Sequence, residues 1–395
     1  MENTSFLIHG GTVITSHREI PDGSVLVVDG VIKEVFESGA SLPDVKRIDA
    51  KGQYISPGFI DLHIHGGGDS DFMEGTVDAY VNIARTHARY GTTGMFPTTL
   101  SGKWEDFIQA LDVYEDAVEA NSDGAEFLGL HIEGPYLAMS QKGAQDPRYI
   151  RNPDPEEYEY VIRKYPFVKR WSIAPELPGA LEFGSFMRQH GVLTAIAHTD
   201  ALFEEVVKAH ESGFSLATHF YSAMSGVTRR DAFRYAGSIE ATYVLDAMDV
   251  EIIGDGVHLP GSLLQYILKV KGTDRTALIT DAMRAAGMGE GPSILGTRED
   301  GLEVIVEDGV AKLPDRSAFA GSVATMDRTV RTIMAKAHVT LVEAVKMASL
   351  VPARIMKIDD HKGSISPRKD ADIIFFDEHV NVSRVMVRGR TIFQQ

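Results

Sequence analysis

Eight short apolar runs constrain this chain more than any other feature: GFIDLHIH, TGMFPTT, FLGLHIE, VKRWSIAPE, VLTAIAHTD, FSLATHFYSA, VEIIGDGVH and TALITDA. Helical patterns separate most of them. Val77, Val81, Ala84 and Ala88 recur at helical spacing, and so do Phe107, Leu111, Tyr114 and Val118. Eight units of strand then helix over roughly 250 residues predict an α/β fold, a TIM-type (β/α)8 barrel. No fixed-period repeat and no low-complexity tract competes with that reading.

The two ends of the chain have a different texture. In 5–56, the segments FLIHGGTVIT, SVLVVDGVIKEVF and VKRIDAKGQYI alternate apolar and polar residues and are separated by Asp-Gly or Gly-Gly turns. Residues 362–394 are strand-like and turn-rich in the same way. The ends are therefore expected to form one small β-sandwich, 1–56 with 362–395, around a barrel spanning 57–361. Such a domain needs termini that lie close together, which is common. Two departures from a plain barrel are visible. The sixth-to-seventh connection, 222–248, is long and carries Arg229, Arg230 and Arg234. Residues 297–313 read as an inserted hairpin around Asp308-Gly309. Helical patterns resume at 326–337 and 342–349.

Composition narrows the function classes. A net charge of −17 argues against sequence-independent nucleic-acid binding and against an acidic membrane surface. It leaves room for a small anionic substrate, because a few local cations outweigh a field screened over roughly 8 Å. The absence of cysteine removes disulfides, thiolate ligands and a thiol nucleophile together, which suits a cytoplasmic enzyme. The stretch MENTSFLIHGG lacks the basic and apolar regions of a signal peptide. No apolar run reaches the ~18 residues of a membrane span.

His63 and His65, two apart on one strand, point to the same face and make half of a divalent-metal site. Barrel enzymes place their chemistry at the carboxyl ends of the strands. His63 and His65 end the first run, Glu133 the third, His198 the fifth, His219 the sixth and Asp281 the eighth. A lone strand histidine is more often a hydrogen-bonded core residue, and a lone strand-end aspartate a helix cap. Six such residues at one end point to a site. Gly66-Gly67-Gly68 lacks the spacing of a phosphate cradle and reads as a loop with unusual backbone angles. Trp104, Trp171, Met283, Met288 and Met326 read as packing residues.

With PGFIDLHIHG, LGLHIEGPYL, KGA (142–144), AHTDA, ATHFYSAM, GDGVH, LITDA and AGSVATM in this order, the chain resembles the amidohydrolase superfamily. Within it, the chain resembles the N-acetylglucosamine-6-phosphate deacetylases. The resemblance covers almost the whole chain, and HIEGP followed by TH-x-x-x-AM is its most specific part. It implies Glu133 as the carboxylate shared by two metals, His198 and His219 on one and His63 and His65 on the other, with zinc and iron both suitable. One or two divalent ions are implied. Amide hydrolysis would then proceed by direct attack of metal-bound water, with Asp281 as general base and acid, as a ligand, or as both.

The implied substrate is an amino-sugar phosphate, N-acetylglucosamine 6-phosphate. Arg230 and His258 would meet its phosphate, in part from the neighbouring subunit of a homodimer. Ala144, Gln145, Ser222, Ala223, Ala320, Gly321 and Ser322 would line the rest. Two residues depart from the family pattern: Ser222 stands where Asn is usual and Gln145 where His is usual. Both bear on the sugar and its phosphate or acyl group rather than on the metal chemistry. The alternatives are the same reaction on another N-acetyl amino-sugar phosphate, such as the galactosamine epimer, another amidohydrolase reaction such as cyclic-amide hydrolysis, or a non-catalytic scaffold.

Overall fold

The computed structural model describes residues 5–395; residues 1–4, part of the stretch read for a leader, lie outside the described residues. All eight apolar runs contain strands. They are β1 (Phe59–Ile64), β2 (Thr92–Pro97), β3 (Leu130–Glu133), β4 (Val168–Ile173), β5 (Leu193–Ile196), β6 (Phe214–Ala217), β7 (Asp249–Ile253) and β8 (Thr276–Ile279). Strands β3 to β8 pair in sequence order as one parallel run. Strands β1 and β2 pair in parallel in a second run, joined by the short Glu126–Phe127 strand. Single parallel bridges meet at both seams, Thr98 with His131 and Ile64 with Ala282, so the sheet curls round.

Helices cover this sheet. Val77–Ala88 starts at Thr76, whose side chain accepts from the Ala79 N–H. Pro155–Lys164 starts at an Asp154 cap with proline in its first turn, where the missing N–H costs nothing. The pattern over 105–119 resolves into two helices, Trp104–Asp112 and Tyr114–Ala120. Phe183, Trp171, Tyr136 and Tyr158 pack edge-to-face and stacked between helices and sheet. Trp171 also donates its indole N–H to Gly134 O at 2.7 Å.

The ends of the chain form one mixed sheet. Its order runs from Arg390–Gln394 through Val382–Val387, Ile373–Phe376, Tyr54–Pro57, Ser5–Ile14 and Glu19–Val28 to Val31–Phe36, with Lys46–Asp49 also on Ser5–Ile14. N-terminal Tyr54–Pro57 and C-terminal Ile373–Phe376 are direct neighbours, so the termini do meet. The expected hairpin at 297–313 belongs to a larger antiparallel sheet of Gly291–Leu295, Leu302–Glu307, Val310–Lys312 and Phe319–Ser322. Its central turn has Asp308 and Gly309 at φ of 55° and 73°, the left-handed pair that a two-residue hairpin turn demands. The long sixth-to-seventh connection holds a small exposed hairpin, Thr228–Arg230 with Phe233–Tyr235, then the helix Ser238–Val244.

Candidate metal centre

The residues named from the strand ends converge. His63 Nε2 lies 3.1 Å from His65 Nε2, 3.5 Å from Glu133 Oε1 and 3.4 Å from Asp281 Oδ1. His65 Nε2 lies 3.4 Å from Glu133 Oε2 and 3.3 Å from Asp281 Oδ1. On the other side, His219 Nε2 and His198 Nε2 lie 2.9 Å and 3.4 Å from Glu133 Oε1. Glu133 therefore stands between two histidine pairs, with one oxygen toward three imidazoles and the other toward His65.

Backbone geometry brings these groups round. His198, His219 and Asp281 all have positive φ, at 47°, 30° and 50°, a region that costs a non-glycine residue of order 1–3 kcal/mol. Each lies just beyond its strand, where the chain turns and the side chain swings over the rim. Hydrogen bonds hold the turns. Asp281 N donates to His63 O at 2.9 Å and Ser322 N donates to Asp281 O at 2.7 Å.

The donor chemistry fits divalent cations. His65 Nδ1 meets Thr98 O at 3.2 Å and His198 Nδ1 meets Gln141 O at 2.8 Å. A carbonyl only accepts, so each ring carries a proton on Nδ1 and turns Nε2 to Glu133, with a bare lone pair there whenever no second proton is bound. Lone pairs facing a carboxylate at these distances repel unless something positive lies between them. The electrostatics agree. Burial opposes charge on His65, yet the Asp281 and Glu133 carboxylates raise it to about 10. Burial also disfavours ionised Glu133, but His63, His198 and His219 hold it well below the usual carboxylate range. Burial lowers His63, and Glu133 outweighs burial to raise His219. Asp281 is lowered against its own burial by His63 and His65. Zinc and iron both accept this nitrogen and carboxylate set.

The sequence profile of the amidohydrolase family matches residues 54–392. The chain belongs to the amidohydrolase family. It is similar to the N-acetylglucosamine-6-phosphate deacetylase of Lysinibacillus sphaericus, at 33% identity over 98% of this chain and 97% of the relative. It is also similar to the N-acetylgalactosamine-6-phosphate deacetylase of Escherichia coli O157:H7, at 30% identity over 96% of this chain and 97% of the relative. Among solved structures, a mutant N-acetyl-D-glucosamine-6-phosphate deacetylase from Mycobacterium smegmatis, in complex with N-acetyl-D-glucosamine-6-phosphate, superposes with a TM-score of 0.90. It is 28% identical, and the match covers 99% of this chain and all of that one.

In this amidohydrolase the centre forms the floor of a cavity of about 720 Å³. Ala144, Gln145, Ser222, Ala223, His258 and Gly321 line it. His258 Nδ1 meets Asp255 Oδ2 at 2.7 Å and its ring lies tilted against Phe319, on the rim of its own chain's cavity. Three expected substrate contacts do not line this cavity. Ala320 is fully buried. Ser322 is also buried, its hydroxyl given to Thr280 O. Arg230 lies on the exposed hairpin with its guanidinium over Tyr235. No helix among the described residues is long and apolar enough to cross a membrane.

Other buried polar residues at the centre are not among the site residues expected from the sequence. Buried Arg170 and Glu251 form a two-pronged ion pair, with Arg170 also reaching Thr218 Oγ1 and Leu62 O. Ser172 joins Thr218 to His131, whose ring meets His63 edge-on at 4.7 Å between centroids. Their signal was available: Arg170, Glu251 and His131 are ionisable residues inside short strand runs expected to be buried.

Proposed function

We propose that this amidohydrolase hydrolyses the acetamide of N-acetylglucosamine 6-phosphate to glucosamine 6-phosphate and acetate. The observation that carries the reading is Glu133 standing between two histidine pairs, with Asp281 within 3.4 Å of both His63 and His65. Near-full-length likeness to deacetylases of amino-sugar phosphates supports the substrate.

His63 and His65 with Glu133 would hold one divalent ion, and His198 and His219 with Glu133 a second, zinc or iron. Bound there, such an ion supplies Lewis acidity to the amide carbonyl and lowers the pKa of water toward ~7. Asp281 takes a proton from water as the water oxygen bonds to the carbonyl carbon. The same carboxyl returns that proton to the nitrogen as the carbon–nitrogen bond breaks, releasing amine and acetate. No side-chain nucleophile is required. Ala144, Gln145, Ser222, Ala223, His258 and Gly321 are the proposed surroundings of the sugar. Arg230, off its own cavity on the exposed hairpin, is proposed to reach the phosphate bound by the other copy in a homodimer. A phosphorylated sugar does not cross a bilayer unaided, which supports a cytoplasmic location.

The architecture behind this reading is a closed (β/α)8 barrel over 57–361, supported by the bridges at both seams. The terminal sheet, folded over Ile8, Val25, Ile55 and Phe375, is the β-sandwich of 1–56 and 362–395. The test is amine release from N-acetylglucosamine and N-acetylgalactosamine, each with and without the 6-phosphate, after reconstitution with zinc, iron or manganese. The expected outcome is fastest turnover on N-acetylglucosamine 6-phosphate. Preference for the galactosamine epimer moves the assignment to the second relative's reaction, and no turnover with any metal removes it.

A further inference from the structure

Gln145 carries more than a place in the cavity wall. It is 4% exposed, and both ends of its amide are spoken for. Ser101 N donates to Gln145 Oε1 at 2.8 Å, and Gln145 Nε2 donates to Glu133 Oε2 at 2.7 Å. The orientation is chemically determined. A backbone N–H only donates, so it must meet the amide oxygen; an ionised carboxylate only accepts, so it must meet the amide nitrogen.

The two segments joined in this way already orient the histidines. Thr98 O, three residues before Ser101, sets the proton on His65 Nδ1. Gln141 O, four residues before Gln145, sets it on His198 Nδ1. Gln145 N in turn donates to Lys142 O at 2.9 Å, which ties the loop to itself. One amide thus spans from the segment behind His65 to the segment behind His198 and grips Glu133 between them.

We infer that Gln145 is a positioning residue of the metal centre: it occupies one lone pair of Glu133 Oε2 and holds that carboxylate with Oε2 toward His65 and Oε1 toward His63, His198 and His219. The inference rests on Glu133 being the shared metal ligand. An amide suits the task because it neither titrates nor displaces a carboxylate from a cation. Without it, Glu133 is free to rotate about its terminal torsion, which has no steep staggered wells. Both oxygens can then swing out of line with their partners.

Zinc binding to the full-length protein tests this, by competition with a chromophoric chelator, for wild type, Gln145→Leu and Gln145→Asn. Leucine keeps much of the volume and loses both hydrogen bonds. Asparagine keeps the amide but is one methylene too short to reach both partners. Both variants are expected to bind zinc 10–100-fold more weakly, as removal of outer hydrogen bonds to metal ligands does elsewhere. Circular dichroism of the zinc-free proteins checks that each variant is folded; should leucine fail, asparagine decides. Wild-type zinc affinity in a folded variant, with the loss confined to a raised KM for the sugar phosphate, would overturn the inference and make Gln145 a substrate contact. A wild-type protein that binds no zinc is a different failure. It would remove the metal centre along with the role of Gln145.

Discussion

The protons on His65 and His198 matter as much as the positions of their rings. Backbone carbonyls at Thr98 and Gln141 hold them on Nδ1, so both Nε2 atoms are free to donate to a metal. Asp281 sits across from His63 and His65 and is the acid–base group of the proposed reaction. Asp281→Asn removes proton transfer but preserves size, so kcat is expected to fall 10²–10⁴-fold. Metal content by elemental analysis should change little. Full activity in that variant would reassign the acid–base role. His87 offers a test away from the ligands. Its ring is buried against Gly66 O at 3.0 Å, and burial lowers it to about 4. Unfolding lets it take up a proton at its ordinary pKa of about 6.5. Between these values the unfolded state binds more protons, so stability falls as pH drops from about 6.5 toward 4. Melting curves across that range should slope less steeply in His87→Gln than in wild type; equal slopes would show that His87 is not the group responsible.

At the level of elements, the residues of the candidate centre sit at strand ends, and an ion cluster sits where the curled sheet meets the terminal sheet. Lys362 is buried among Glu126, Asp370 and Asp372, at 2.5, 2.9 and 2.8 Å. Glu126 belongs to the short strand beside β2, and Asp372 leads into Ile373–Phe376 of the terminal sheet. These three carboxylates can be mistaken for a second metal site. The ammonium already neutralises them, and Arg388 pairs with Glu126 as well. Lys362→Met would leave like charges crowded in a buried junction, at a cost of about 3–5 kcal/mol. Urea denaturation measures it. A loss below about 1 kcal/mol would place the cluster with ordinary surface pairs.

Considered whole, the molecule curls a parallel sheet whose rim gathers the candidate ligands of the proposed centre from across the chain, so metal and fold should be coupled. A chelator is expected to lower Tm and abolish turnover, and added zinc or iron to restore both. Free ion at a hundred times its Kd contributes about 2.7 kcal/mol. A Tm indifferent to chelator would separate the centre from stability.

Local pattern made much of this legible. The eight apolar runs contain the eight strands, and Glu133, His198, His219 and Asp281 lie at strand ends, because periodicity and residue chemistry are properties of short stretches. The split of the 105–119 helix and the four strands around 291–322 were less legible, since ends and pairings are set by neighbours. Sequence alone determined which candidate ligand types this chain offers and in what order along the fold. Only tertiary structure decided which oxygen of Glu133 meets which imidazole, that Arg170 pairs with Glu251, and that Gln145 turns toward Glu133. Those contacts join residues far apart in the chain, and a hydrogen bond is selected by the distance and angle of its atoms, which no local pattern encodes.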